Sequence, residues 1–187
     1  GATTFDYLKM DNSAGLTLNN SITNTLTLDL TSGVITLGTN NLTLGSAGTV
    51  INASATSYVR TNSTGQFKRT VGASATLFPT GNSAYNPITF NNSGTSDEYG
   101  VRVLDGALTT GVNNTKTVSR RWVTTEAISG GSNLAVVAQY NSGEENTNFI
   151  AGTNPKKGFY NGSTWVEVVA TAAGSNPYTY TSNTNVT

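Results

Sequence analysis

The sequence has no histidine and no cysteine, and its acidic and basic residues together make up only 11% of the chain. Without histidine there is no Ser-His-Asp triad, no His-ligated zinc and no imidazole acid or base. Without cysteine there is neither a disulfide framework nor a thiolate centre, so stability rests on packing and hydrogen-bonded ladders. Ten basic residues balance ten acidic ones, and a chain of zero net charge has no field to gather nucleic acid or an anionic membrane. No apolar run approaches the ~20 residues that span a bilayer, and no basic start precedes an apolar h-region. These absences give the expectation of a soluble chain without membrane insertion. The first residue is Gly1 rather than Met, which fits a processed or excised segment whose targeting signal has been removed.

Thr, Asn, Ser and Gly stand where charge is missing. Thr favours pleated surfaces, and Asn, Ser and Gly supply turns. No window shows apolar residues at i, i+3, i+4 and i+7 over three turns, so almost no helix is expected. The length of 187 residues suits one domain or a tandem pair.

From Gly15 to Ile51 short strands recur: Leu16-Thr17-Leu18, Leu26 to Leu30, Val34 to Leu37, Leu42-Thr43-Leu44 and Val50-Ile51. Strict alternation places Leu26, Leu28 and Leu30 on a buried face, with Thr25, Thr27, Asp29 and Thr31 outside. The breaks Thr31-Ser32-Gly33, Gly38 to Asn41 and Gly45 to Gly48 suit the corners of a coil at least as well as hairpin reversals. The pattern predicts parallel β-solenoid-like rungs over residues 1–56, with a folded-back meander as the alternative.

After Ser57 aromatic and basic residues appear. Strands are predicted at Tyr58 to Thr61, Gln66 to Val71, Thr76 to Phe78, Asn86 to Phe90, Tyr99 to Leu104, Val118 to Thr125, Leu134 to Tyr140, Phe149-Ile150 and Gly158 to Ala170. Their spacing predicts an antiparallel β-sandwich over residues 57–187, either a separate domain or one continuous unit with the rungs. Asn161-Gly162 suits a two-residue type I′ turn that pairs Tyr160 with Ser163 and Phe159 with Thr164. Tyr160, Trp165 and Glu167 then share one face; Phe159, Val166 and Val168 share the other, which is the better core candidate.

Leu16 to Ile51, then Ser57 to Asn62, Gln66 to Gly72, Leu77 to Gly81, Tyr85 to Ile88, and Arg120-Arg121-Trp122 leading to Gly130 to Asn133 form an ordered series. The series resembles a module of large secreted and cell-surface adhesin-like proteins of Bacteroidetes, often exported by the type IX route. The resemblance implies a secreted or surface location and a structural or adhesive role rather than catalysis. The C-terminal sorting domain usual for such exported chains is not evident in the sequence.

No Gly-x-Ser-x-Gly elbow, P-loop or dinucleotide fingerprint is present, and no cofactor is expected. Asp97-Glu98 and Glu144-Glu145 are adjacent acid pairs that read as solvated loop charge rather than a glycosidase pair. Asp97, Glu98 and Asp105 would share a calcium ion only if their loop folded back, and they lack calcium-loop spacing. The sequence therefore reads as non-enzymatic, with no catalytic or metal site. Tyr160, Asn161 and Trp165 form a candidate glycan platform, and Trp122 is the other candidate, each also readable as packing. Arg60, Lys68, Arg69, Arg102, Arg120 and Arg121 all fall on predicted sandwich strands, where cross-strand acidic partners are expected.

A solenoid ends in unpaired backbone groups that must be capped or paired. Nothing charged, proline-bearing or helical is expected to cap the solenoid near Gly1 to Leu18. Thr4 to Met10 reads either as an assembly strand, with Phe5 and Tyr7 on one face and Leu8 and Met10 on the other, or as the first rung of its own domain. The expected function is a non-enzymatic extracellular structural or adhesive unit, a fibre subunit or module that pairs strands with other copies or neighbouring modules. The alternative is a carbohydrate-binding module.

Overall fold

A computed structural model of the chain describes residues 3–107, 113–160 and 163–182. The first ten strands are β1 (Thr3–Asp11), β2 (Leu16–Thr17), β3 (Ile22–Ser32), β4 (Ile35–Thr36), β5 (Leu42–Leu44), β6 (Thr49–Ile51), β7 (Val59–Arg60), β8 (Phe67–Val71), β9 (Thr76–Phe78) and β10 (Thr80–Gly81). Seven more follow: β11 (Ile88–Asn92), β12 (Asp97–Asp105), β13 (Arg120–Glu126), β14 (Leu134–Tyr140), β15 (Lys156–Tyr160), β16 (Trp165–Ala173) and β17 (Tyr178–Ser182). Two 3₁₀ turns, Asn114–Lys116 and Ser142–Glu144, are the helical structure among the described residues. The protein is all-β, with β-solenoid-like coils followed by an antiparallel region.

Parallel pairing decides for coils over a meander. One sheet stacks β1, β3, β5 and β8, with β6 also on β3; a second stacks β2, β4, β7 and β10. The chain crosses between these sheets at the Ser-Gly and Asn-Asn breaks and returns roughly every 20 residues. Like sits on like: Leu8 on Leu28, Thr4 on Thr23, Thr23 on Thr43, Leu16 on Ile35 and Thr17 on Thr36. At the corner after β3, Gly33 has φ +87°, and a Cβ there would strike the Asn12 carbonyl, so the tight passage requires glycine.

The parallel stack runs beyond residue 56. Tyr58 to Thr61 and Gln66 to Val71, expected as sandwich strands, contribute β7 and β8 parallel to β4 and β5. Arg60, Lys68 and Arg69 therefore lie on the coils. β12 then adds to β8 and β13 to β12, both antiparallel, so the first sheet changes from parallel to antiparallel without a break. A six-stranded antiparallel sheet, ordered β15-β16-β17-β14-β11-β9, forms the other layer.

One hydrophobic core spans both regions. It holds Leu28, Leu30, Ile35, Leu37, Leu42 and Leu44 of the coils together with Phe90, Val101 and Leu134 of the antiparallel strands. Four rings bridge them in sequence, Phe67 to Phe78 at 5.9 Å, Phe78 to Phe90 at 5.2 Å and Phe90 to Tyr99 at 5.7 Å between centroids. A smaller cluster of Tyr140, Ala170 and Tyr180, with Phe149 and Tyr178 against it, closes the C-terminal side. Phe149 and Ile150, expected as a strand, lie in irregular chain, where Phe149 still packs edge-on to Tyr140.

Two local expectations are corrected. Leu26 is 52% exposed, whereas Leu28 and Leu30 are fully buried. The register of β1 against β3 shifts between the Phe5–Asn24 and Tyr7–Thr27 pairs, which puts an extra residue into β3 and turns Leu26 outward. Buried Asn24 spans the break: its Nδ2 donates to the Thr27 carbonyl at 2.6 Å, and its Oδ1 accepts from Leu26 N at 3.2 Å. The second correction is the hairpin register. Tyr160 pairs with Trp165 and Phe159 with Val166, leaving four intervening residues rather than two. This register brings the Tyr160 and Trp165 rings to 5.2 Å, an aromatic cross-strand pair in place of Tyr opposite Ser. The proposed turn residues Asn161 and Gly162 lie outside the described residues.

Candidate functional site

β1 and β2 are the terminal strands of their sheets. Together they make the first coil an open end. Thr and aromatic residues favour the extended chain of β1, and alternation turns Leu8 and Met10 inward onto Leu28 and Leu30. Met10 is buried, while Phe5 and Tyr7 on the other face are exposed. The stretch Thr4 to Met10 is thus the first rung of its own chain, with the two faces expected of it, and one edge of β1 has no strand partner among the described residues.

Asp29 fixes this coil to its neighbours. It points away from the core, as alternation requires, but is covered rather than exposed. Tyr7 of the first coil donates its hydroxyl to Asp29 at 2.7 Å, Asn52 of a later coil donates at 2.8 Å, and Thr31 donates at 2.9 Å. The bonds from Tyr7 and Asn52, opposed by desolvation, hold the Asp29 carboxyl below its usual range. The same contact raises the Tyr7 phenol. Lys9, a residue type that blunts sheet edges, is neutralised on β1 by Asp11 at 2.8 Å.

The far end of the stack is closed. Thr61 Oγ1 donates to the Gly81 carbonyl and accepts from Val103 N of β12 at 2.8 Å, while Gly81 also bridges to Tyr85. Thr61, Thr80 and Gly81 are buried there. The contrast with the first coil is the clearest asymmetry in the molecule. Open strand edges offer N–H and C=O groups to an added strand.

The sequence-predicted acids serve structure. Buried Glu144 accepts from Asn86 Nδ2 at 2.6 Å and from Asn141 N at 3.0 Å, and it pairs with Arg120 at 3.2 Å. Arg120 also pairs with Asp105 at 3.4 Å and donates to Asn86 Oδ1 at 3.0 Å. Neighbouring Glu145 accepts from the Tyr140 hydroxyl at 3.2 Å. Asp97 and Asp105 occupy opposite ends of β12, more than ~25 Å apart at the usual rise per residue, so they do not share one ion.

Basic residues find acids only in part: Lys68 pairs with Glu98 at 3.3 Å, but Arg69, Arg102 and Arg121 donate to backbone carbonyls, and Arg60 is exposed. The Gly48, Ser63 and Gly106 carbonyls lie where the backbone ladders are interrupted, and Arg69 also reaches the Leu77 carbonyl of edge strand β9, so long cations satisfy groups the ladders leave open.

Trp122 is half-buried, packs on both hydrophobic clusters and donates Nε1 to the Asn86 carbonyl at 2.8 Å, so it is a packing residue. Tyr160 is 50% exposed and Trp165 half-buried. Their rings are inclined by 43°, and Trp165 lies across Gly158, where a Cβ would come within 3.2 Å of the indole. The two rings form an inclined pair beside the Lys156–Glu167 ion pair; Asn161, the third expected member, lies outside the described residues.

Sequence reasoning missed the buried asparagines. Asn92 in Asn92-Ser93-Gly94-Thr95 repeats the Asn24 arrangement, donating to the Thr95 carbonyl at 2.7 Å and accepting from Gly94 N at 3.0 Å. The shared Asn-x-x-Thr spacing was the available signal. Compared with known protein families, curated proteins and solved structures, the chain matches none of them.

Proposed function

We propose that this chain is a non-enzymatic, extracellular structural or adhesive unit of a bacterial surface, a filament subunit or module that joins other copies or neighbouring modules by strand pairing at β1. The observation that carries this reading is the open first coil set against the closed far end. The low charge and the absence of histidine and cysteine support it, as does the resemblance of the ordered strand series to modules of Bacteroidetes surface proteins. Negative-stain microscopy of the purified protein is the test. Association through β1, with a second copy or a neighbouring module, is expected, and it disappears in Phe5→Lys, which places a charge at the exposed edge without touching Met10. Monodisperse particles at all concentrations, with no association to a neighbouring module, overturn the reading.

The exposed Tyr160–Trp165 pair favours a second reading, a carbohydrate-binding module. A glycan array with Trp165→Ala as control separates the two. Monodisperse particles with Trp165-dependent sugar affinity support the second, and no binding at millimolar sugar removes it.

A further inference from the structure

We infer that the occupant of the open end is a further coil of the same kind, laid parallel on β1 and β2, and that the antiparallel half is the terminal cap of the resulting stack. This rests on the reading of β1 as an assembly edge and specifies its partner.

The inward ladders carry the inference. Leu16 stacks on Ile35, which stacks on Val59. Ile35 and Val59 are fully buried, yet Leu16 is 41% exposed. The next step of the ladder sets Val59 on buried Thr80, so among the described residues Leu16 is the member of this ladder without a strand on its outer side; Met10 and Leu18 of the same coil are already buried, and the unfilled place is local to Leu16. An apolar residue from a preceding coil would bury it as Ile35 and Val59 are buried, a gain that a polar or helical partner does not reproduce.

The corners agree. Where the backbone ladder is interrupted, asparagine side chains join one coil to the next. Asn40 Nδ2 donates back to the Leu18 carbonyl at 2.8 Å, Asn62 Oδ1 accepts from Gly38 N at 3.1 Å, and Asn41 Oδ1 accepts from Gln66 N at 3.0 Å. At the same corner of the first coil stand Asn19 and Asn20, both exposed. Asn40 reaches the coil before its own, and Asn19 and Asn20 hold the equivalent places with no such coil among the described residues. The closed end supplies the direction. With Thr61 and Gly81 buried beneath β12, coils add only at β1, so this chain ends a stack rather than extending it on both sides.

A synthetic peptide of residues 20–38, which spans the second coil, serves as the coil mimic and is titrated into the full chain. Amide hydrogen exchange should gain protection confined to Thr3–Asp11 and Leu16–Thr17, with shifts in the Asn19 and Asn20 side-chain amides. Replacing Leu28 and Leu30 of the peptide by Asp, or Leu16 of the chain by Asp, should weaken binding tenfold or more. Leu16 is exposed, so Leu16→Asp leaves the fold intact as judged by circular dichroism. If no protection develops at ~1 mM peptide while the chain alone assembles with β1 protected, the occupant is a second copy; this inference fails and the assembly reading stands. If the peptide does not bind and the chain does not assemble, both fail.

Discussion

The coiled region and the antiparallel region bury their side chains by different rules. In the coils several positions stack on their own kind one turn away, as Leu8 on Leu28 and Thr4, Thr23 and Thr43 in one row, so a short repeat of about 20 residues helps set the register. In the antiparallel region the core is built from unlike partners, with Phe78, Phe90 and Tyr99 tilted or edge-on to one another, and each ring answers to a particular neighbour. The first arrangement can be extended by one more coil without redesign. The second closes on itself, which is why it can cap a stack.

The largest expected effect comes from breaking the seam between the two regions. Phe90→Ala removes a buried ring that touches Phe78 and Tyr99 and should cost ~3–5 kcal/mol. Because one core crosses the seam, denaturation followed by far-UV circular dichroism and by tryptophan fluorescence, from Trp122 and Trp165 of the antiparallel half, should shift together. Separate midpoints would show that the halves fold independently.

Within the coils, Leu30→Ala should cost ~2–5 kcal/mol while Leu26→Ala, two residues before the fully buried Leu28, should be close to neutral. Urea midpoints of the two variants check this. Equal losses would mean that Leu26 is buried in solution and that the register shift at Asn24 is absent.

The shared asparagine device sharpens the comparison at a smaller scale. Asn24→Ala and Asn92→Ala should each cost ~1–3 kcal/mol by orphaning buried backbone groups. Asn92→Ala should be the more damaging, because Asn92 Oδ1 also accepts from Asn133 N at 2.9 Å. Thermal melts of the two variants rank them.

The smallest effects separate the regions by pH. Lys157 reaches from β15 to the Val136 carbonyl, and burial lowers its ammonium to about 7. Between pH 7 and ~10 the unfolded chain then binds a proton that the folded chain has released, so stability rises with pH across that window, and Lys157→Met should flatten the rise. Asp29 works at the other end. Its folded value lies below the unfolded one, so its contribution is present above ~4 and lost as pH falls further. Asp29→Asn should remove that acid sensitivity from the coils. Stability curves from pH 2 to 10 read both slopes.

Much of the coil architecture was legible because its cause is local. Alternation in Leu28-Asp29-Leu30 and glycine at the corner Gly33 act within a few residues, and the repeat announces stacking. Leu26 was assigned to the wrong face and buried Asn24 was missed because a register shift reverses the faces, and period-two reasoning assumes there is none. Burial of Asp29 depends on Tyr7 and Asn52, one coil away on either side, which alternation does not encode. The expected boundary at residue 56 followed a change of composition, but parallel pairing depends on where β7 and β8 lie, and they continue the stack. At the candidate edge, the two faces of Phe5, Tyr7, Leu8 and Met10 were readable from alternation. The closed far end was not, because it depends on Val103 meeting Thr61 across long sequence separation.

Hydrogen exchange resolved to single amides over β1, measured against protein concentration, tests the central claim that assembly proceeds through the open first coil. The amides on the unpaired edge of Thr3–Asp11 should exchange quickly in dilute monomer and gain protection in step with association, while those of Thr61 and Val103 stay protected throughout. Fibres that form while the β1 edge still exchanges as fast as in the monomer would contradict it.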